Sequence, residues 1–300
     1  MAIIGAILGD IAGSKWEFNR PKDLDYEHIE LFQDDSCYTD DTVLSVATKY
    51  ALKNGVSFKD AYNEFGNDYI DCGYGDRFFE WLIFKSKKPY KSCGNGSAMR
   101  VSPVVDFAKS REDIIKYATM SAECTHNHQE GIKGAVVTAM CGWMAKNGAS
   151  KKEIEEYASR EYPAGSYYKY PVSMSIKELK EVYKWDETCQ GSVPAAIRCF
   201  LDSEDYESFI RNVLSFKCDS DTLGAIGGGI AEEFYKGTGF NNDELLKKYL
   251  REITHAVEIS SIQNAAEAVE DLQDTVNKAK EIRGSEIFEL VYAAADIFAA

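Results

Sequence analysis

Two short acidic stretches lie far apart in the chain, and each combines carboxylates with hydroxyl groups. The first is Thr39-Asp40-Asp41-Thr42 and the second is Asp219-Ser220-Asp221-Thr222. Apolar residues at helical spacing follow both, so both are predicted at helix N-termini, where free N–H groups and the helix dipole favour negative charge. Either stretch alone is explained by N-capping. Brought together, their carboxylates would repel unless cations neutralised them, and oxygen ligands suit Mg²⁺, Mn²⁺ or Ca²⁺.

A glycine-rich stretch, Gly94-Asn95-Gly96-Ser97, is the next candidate for chemistry. Its glycines permit a turn whose N–H groups point inward, and such a turn suits a phosphate. His126 adds an imidazole that can donate a hydrogen bond to a phosphate or a hydroxyl. The alternative for both is a purely structural role.

Two further carboxylates stand beside loops or turns. Glu17 precedes residues 18–37, a long polar loop without periodicity, and that position leaves a catalytic role open beside the alternative of a surface residue. Asp76 lies in a glycine-containing turn before an apolar run. If that turn borders the site, Asp76 can pair with a guanidinium in bidentate fashion, which would favour an arginine-linked substrate. The alternative is a helix cap, or an ion pair with Arg77 or a nearby lysine.

Composition narrows the class of protein. The chain has 300 residues, 45% of them hydrophobic, and a formal net charge of −15. This charge argues against a nucleic-acid backbone or an anionic membrane as the main partner. Eight dispersed cysteines without a compact framework indicate reduced thiols. No targeting segment is evident, and the apolar run 134–145 is too short to span a bilayer. We therefore expect a cytoplasmic protein.

Helical periodicity dominates the chain, and strand patterns are poor. Gly5, Gly9 and Gly13 recur at four-residue spacing in an apolar stretch, which predicts a central helix packed closely against its neighbours. Three capping-box patterns begin at Ser57, Ser110 and Ser150. The sequence predicts an all-α protein with a single domain over residues 1–300.

The sequence also predicts the structure of three other segments. Residues 192–197 resemble a capped helix start with proline in the first turn. The aromatic-rich segment 161–191 is either a lid or a packing insert, and packing is favoured. The tail from Gln263 to Ala300 is predicted to form two more helices.

Several of these blocks, in this order, resemble the ADP-ribosylglycohydrolases, the relatives of dinitrogenase reductase-activating glycohydrolase. The matching blocks run from residue 5 to about residue 235, so the resemblance extends over most of the chain, and their combination is more specific than any single block. They are residues 5–10, Gly13 with Glu17, 39–42, 94–103, 123–126, 192–196 and 219–222.

The resemblance implies an all-α orthogonal bundle around two divalent metals, usually Mg²⁺ or Mn²⁺. Carried over by position, it implies these metal ligands: Thr39, Asp40, Asp41, Asp219, Asp221 and Thr222. Glu17 would be a mobile acidic residue at the scissile bond, and Asp40 and Asp41 are also catalytic candidates. The cradle for ADP-ribose would be Gly94, Asn95, Gly96 and Ser97, with His126 in contact with the ligand.

The expected activity is hydrolysis of the glycosidic bond at C1 of the distal ribose, which releases ADP-ribose from a modified target. The partners are then ADP-ribose and its target, with neither nucleic acid nor membrane. Two alternatives remain at this point. One is a metal-dependent phosphohydrolase acting on the diphosphate, and the other is a non-catalytic relative of the lens-crystallin kind.

Overall fold

The computed structural model describes residues 1–84 and 87–250. Within these ranges every regular element is a helix and no strand occurs, so the all-α prediction is confirmed. The helices are α1 (Ala2–Ser14), α2 (Trp16–Asn19), α3 (Asp40–Asn54), α4 (Phe58–Asp68), α5 (Asp76–Ile83), α6 (Gly96–Met99), α7 (Ser102–Phe107), α8 (Arg111–Glu123), α9 (Gln129–Lys146), α10 (Lys151–Glu161), α11 (Ile176–Val182), α12 (Cys189–Leu201), α13 (Tyr206–Leu214), α14 (Ser220–Tyr235) and α15 (Asn242–Tyr249).

The chain divides into two compact units, Met1–Gly239 and Phe240–Ala300. The first contains α1 to α14 and all candidate site residues. The expectation of one domain across residues 1–300 stays a prediction. The two helices predicted after Gln263 lie outside the described residues.

The centre of the first unit is the contact between α1 and α14. Glycines face each other along it, and their backbones touch. A Cβ atom at Gly9 would lie 2.1 Å from the carbonyl oxygen of Gly224, and one at Gly5 would lie 2.3 Å from that of Gly228. The predicted close packing at the α1 glycines is thus confirmed, because no side chain fits between these backbones.

Around this pair, α14 also packs against α9, α12 and α13, while α1 packs against α3 and α7. Both central helices are therefore surrounded, and α1 is buried from Ala2 to Gly13. A helix that is apolar all round belongs in such a core. Among the described residues, no helix combines the length and apolar character needed to cross a bilayer.

The predicted helix start at Ser192 is wrong. The helix α12 begins at Cys189, and its N-cap is Thr188, whose side chain accepts from Gly191 N. Pro194 consequently lies inside the helix rather than in its first turn. The hydroxyl of Ser192 instead donates to Asp186 O at 2.8 Å, so the residue that resembled a cap ties α12 to the preceding loop.

The aromatic segment 161–191 packs its tyrosines inward over much of its length. Tyr162 and Tyr170 are 0% and 1% exposed, and the Tyr170 ring lies 4.3 Å from that of Tyr183. Near its end the ring of Trp185 stacks on Phe18 at 5.6 Å. The segment is therefore a packing insert that also reaches the residue next to Glu17.

The glycine contact predicts that Gly9→Ala destabilises the protein. A methyl group placed 2.1 Å from a carbonyl oxygen forces α1 and α14 apart, and overpacking of this kind costs about 1–3 kcal/mol or more. Urea unfolding followed by circular dichroism measures the effect. Gly75→Ala is the matched control because Gly75 has φ of −59° and no atom within 4 Å of the added Cβ. Equal stability of Gly9→Ala and the wild type would contradict the prediction.

Candidate active site

The two acidic stretches and the glycine-rich stretch meet at one cavity of about 520 Å³. Its wall combines carboxylates, glycines, aromatic rings and two cationic side chains. The lining includes Glu17, Phe18, Thr39, Asp40, Asp41, Tyr74, Asp76, Arg77, Tyr90, Gly94, Asn95, Gly96, Arg100, His126, Glu187, Asp219, Asp221 and Thr222. Of the site residues named from the sequence, Ser97 is absent from this wall.

The first acidic stretch is held in place by Asp10, a fully buried carboxylate on α1. Thr39 is the N-cap of α3. Asp10 accepts hydrogen bonds from the backbone N–H groups of Thr39 at 3.0 Å and Thr42 at 3.1 Å, and also from both of their hydroxyls. It thereby fixes the turn from which Asp40 and Asp41 project.

The second acidic stretch begins α14, and two hydrogen bonds join it to its surroundings. Asn95 Nδ2 donates to Asp219 Oδ2 at 2.7 Å, which connects α14 to the glycine-rich stretch. The hydroxyl of Thr222 donates to Asp41 Oδ2 at 3.2 Å, which connects the two acidic stretches. These contacts bring together residues more than 120 positions apart in the sequence.

The carboxylates form a group suited to a divalent cation. Glu17, Asp219 and Asp221 each offer an oxygen, and these oxygens lie within 4.8 Å of one another. Asp41 Oδ1 is buried and has no hydrogen-bond partner in the described residues. A buried oxygen without a partner is costly unless a ligand satisfies it. The donor set is all oxygen, so the residues fit Mg²⁺ or Mn²⁺.

The pKa values of the carboxyl groups in the cluster are raised above their ordinary values. Burial, followed by the charge on Asp219, raises the pKa of Glu17 to about 8. Burial raises the pKa of Asp10 to about 6, and burial with neighbouring carboxylates raises that of Asp41 well above its usual value. Burial and neighbouring carboxylates likewise raise the pKa values of Asp40 and Asp221 well above the usual value. Like charges in a dry site disfavour ionisation, which protons or cations can relieve.

At Gly94 and Gly96 the glycine-rich stretch presents backbone to the cavity, because these residues have no side chain. Two of its N–H groups are already used, since Gly94 N donates to Ser92 Oγ at 3.0 Å and Asn95 N donates to Glu187 O at 2.8 Å. Ser97 is fully buried and donates to Gly131 O at 2.7 Å. Its hydroxyl therefore anchors the stretch to α9 and does not face the cavity.

His126 and Asp76 lie on the same wall with different surroundings. His126 is 5% exposed, and burial together with the charges of Arg100 and Arg77 holds its pKa well below the usual value. Asp76 is exposed at the first position of α5, whose N-cap is Gly75. Arg77 directs its guanidinium to Tyr90 O and over the Tyr90 ring at 4.8 Å. In the described residues Asp76 is thus neither the N-cap nor the ion-pair partner of Arg77.

Sequence reasoning gave no role to Asp10, Arg100 or Glu187, which contribute to the site. A signal existed for Asp10, because it is the single charged residue in an otherwise apolar helix. Arg100 lies just after the glycine-rich stretch, where a buried cation is unexpected. Glu187 lies near the end of the aromatic segment 161–191, and nothing in its local sequence points to the cavity.

A family model described as ADP-ribosylglycohydrolase matches residues 1–270 of the chain. The chain belongs to this family. It is 26% identical to the ADP-ribosylhydrolase ARH3 of Bos taurus, over 78% of this chain and 83% of the relative. The corresponding protein of Homo sapiens is 27% identical, over 78% and 84%.

A solved structure from an ADP-ribosylglycohydrolase-related protein complex shares the fold, with a TM-score of 0.65. Its identity to this chain is 23%, and the match covers 85% of this chain and 93% of that one. Family membership makes the chain a glycosidase that acts on ADP-ribose linkages, and the predicted class of enzyme is confirmed.

The raised pKa values predict how stability depends on pH in metal-free protein. Carboxyls of the unfolded chain lose their protons near pH 4, whereas the buried cluster keeps protons up to higher pH, about 8 for Glu17. The folded state then binds more protons between these limits, so the free energy of unfolding falls as pH rises from about 4 to 8. His126 acts in the opposite direction, but it is a single group.

The pH dependence of stability is measured by thermal unfolding at pH 5 and pH 8, once with chelator and once with Mg²⁺ or Mn²⁺. Cation binding to the folded state should restore most of the stability lost at pH 8. Asp41→Asn should reduce the pH dependence of the metal-free protein and weaken cation binding. A midpoint that rises from pH 5 to pH 8 in chelator would be the opposite of the expected result.

Proposed function

We propose that the chain hydrolyses the glycosidic bond at C1 of the distal ribose and releases intact ADP-ribose from a modified target. The observation that carries this proposal is the acidic cluster, in which Glu17, Asp219 and Asp221 bring oxygens within 4.8 Å in a cavity also lined by glycines and His126. Such a cavity offers carboxylates together with small residues and an imidazole. A ribose, whose hydroxyls can donate to carboxylates, and a diphosphate, which can accept from an imidazole and rest on small residues, would fit these groups.

The proposed cofactors are two divalent cations, Mg²⁺ or Mn²⁺. The residues that would hold them are Thr39, Asp40, Asp41, Asp219, Asp221 and Thr222. When bound, these cations would supply Lewis acidity and would neutralise the charge of the acidic cluster. The unpartnered Oδ1 of Asp41 supports this assignment.

Glu17 is the proposed general acid. Cleavage leaves positive charge at C1 in an oxocarbenium-like transition state, and the leaving group needs a proton. Burial raises the pKa of Glu17, so its carboxyl can hold a proton near neutral pH and donate it. The same carboxylate, after donation, can accept a proton from the attacking water.

The proposed linkage joins ADP-ribose to an arginine side chain. Asp76 is exposed on the cavity wall, where its carboxylate can accept a bidentate pair from a guanidinium. This favours arginine-linked ADP-ribose over linkages without a positive charge. Glu187 on the same wall adds negative charge.

Glu17→Gln should lower kcat by about 10²-fold or more, the scale of general acid–base catalysis. The amide keeps the size of the side chain but cannot supply the proton. Single-turnover release of ADP-ribose measures the change, while affinity for ADP-ribose should stay within about twofold. Glu27→Gln, in the exposed part of the loop after α2, is the control. A Glu17→Gln enzyme with normal kcat would remove Glu17 from the chemistry.

A panel of arginine-linked, serine-linked and ester-linked ADP-ribose tests the function and the linkage together. Intact ADP-ribose should be the product, and release should require Mg²⁺ or Mn²⁺. AMP or phosphate as product would favour the phosphohydrolase alternative.

Asp76→Ala should raise KM for the arginine-linked substrate about tenfold more than for the ester, while the exposed Asp71→Ala should change neither KM. Absence of activity on the arginine-linked substrate would contradict the proposed linkage but not the proposed hydrolysis of ADP-ribose linkages.

A further inference from the structure

A chain of hydrogen bonds behind the cavity wall ends at His126. Arg100 Nη2 donates to Thr125 Oγ1 at 2.8 Å, and Thr125 Oγ1 lies 2.8 Å from His126 Nδ1. Arg100 and Thr125 are both 0% exposed. Because water does not reach Thr125, the protein groups around its hydroxyl decide where that hydroxyl points.

The direction of these hydrogen bonds follows from the chemistry of the groups. A guanidinium can only donate, so the Thr125 oxygen accepts from Arg100 and still has one hydrogen to place. Two neighbours could accept this hydrogen: His126 Nδ1, at 2.8 Å from the oxygen, and the sulfur of Cys124, which is also within hydrogen-bond reach of the Thr125 side chain. The nearby thiol of Cys124 is a weak acceptor and itself donates to Ser121 O at 3.2 Å. The Thr125 hydroxyl therefore donates to Nδ1.

Two further contacts hold Arg100 in this arrangement. Its guanidinium lies over the Tyr62 ring at 4.0 Å, and Nη2 also donates to Ser121 O at 2.8 Å. The hydroxyl of Tyr62 is in turn hydrogen-bonded to Ser121 and Thr48. This buried network holds the first donor of the chain in one orientation.

The opposite side of the imidazole faces the glycine-rich stretch. A Cβ atom at Gly96 would lie 3.1 Å from His126 Nε2, and one at Gly94 would lie 3.6 Å from it. His126 lines the cavity at this point. A ligand oxygen that rests on the glycines therefore meets Nε2.

We propose that Arg100 and Thr125 are positioning residues that hold His126 as the neutral tautomer with its proton on Nε2, so that it donates a hydrogen bond to an anionic oxygen of ADP-ribose. A neutral imidazole has one donor and one acceptor nitrogen, and a hydrogen bond accepted at Nδ1 leaves the proton on Nε2. The other tautomer would present a lone pair to the anion and repel it. The ligand in this inference rests on the proposed function, whereas the tautomer does not.

The test compares three variants with the wild type. Thr125→Val keeps the shape and removes the hydroxyl, and Thr125→Ser keeps the hydroxyl. Thr138→Val is the matched control, since Thr138 is a buried threonine whose hydroxyl has no partner among the described residues and which does not line the cavity. The first readout is the ¹⁵N spectrum of histidine-labelled protein, which reports which ring nitrogen carries the proton. The chain has four histidines, so a His126→Gln spectrum assigns the signals.

The wild type, Thr125→Ser and Thr138→Val should show an unprotonated Nδ1 and a protonated Nε2 at His126, and Thr125→Val should show a mixture or the other tautomer. Calorimetric affinity for ADP-ribose should fall about tenfold or more in Thr125→Val, the scale of one hydrogen bond to a charged group, and stay within about twofold in the other two.

A wild type with the proton on Nδ1, or a Thr125→Val protein that keeps the wild-type tautomer, overturns the inference. Unchanged ADP-ribose affinity despite a changed tautomer overturns the donor role. If Thr125→Val does not fold, the wild-type and Thr125→Ser spectra still decide the tautomer. Failure of the wild type to bind ADP-ribose would count against the proposed function and leave the tautomer result standing.

Discussion

The site depends on the direct backbone contact between α1 and α14. Without side chains at Gly5, Gly9 and Gly224, these helices approach closely enough for α1 to carry Asp10 beneath the first acidic stretch while α14 begins with the second. A separation larger by one methyl group would move one carboxylate pair relative to the other. Metal coordination requires positions within a few tenths of an ångström, so the glycines determine whether the cluster can form.

Charge repulsion works against that arrangement. Buried carboxylates close to one another hold protons to unusually high pH in the absence of cations, and their hydrogen bonds from threonine hydroxyls and Asn95 only partly offset the cost. The surrounding core must therefore stabilise a site that is itself unfavourable. Packing of α14 against several other helices supplies this support from positions outside the cavity.

Much of this architecture could be predicted from the sequence. Helical periodicity gave the all-α class, the spacing of the α1 glycines gave close packing, and two distant acidic stretches pointed to a shared cation site. These signals are local repeats of residue type, which a single sequence displays. The predicted start of α12 is too late, because Ser192 with Pro194 matches a cap pattern, whereas the actual N-cap is Thr188.

The tertiary part of the site was harder to foresee. Arg100 and Glu187 reach the cavity through the way distant segments pack, and no local spacing encodes that. Ser97 shows the converse. Its position in a glycine-rich stretch indicated ligand contact, yet the turn of α6 directs its hydroxyl to α9. Side-chain direction at such turns depends on the neighbouring helices.

The wall of the cavity is divided between buried and exposed residues, and this has an evolutionary consequence. Asp41 and Asp219 are 2% and 5% exposed, whereas Phe18 is 73% exposed and Asp76 is also at the surface. Substitutions at exposed positions usually change stability by less than about 0.5 kcal/mol. Under the proposed function, new leaving groups could therefore be accommodated by mutation of these exposed residues while the acidic cluster is retained. An enzyme built this way can diversify in substrate without rebuilding its chemistry.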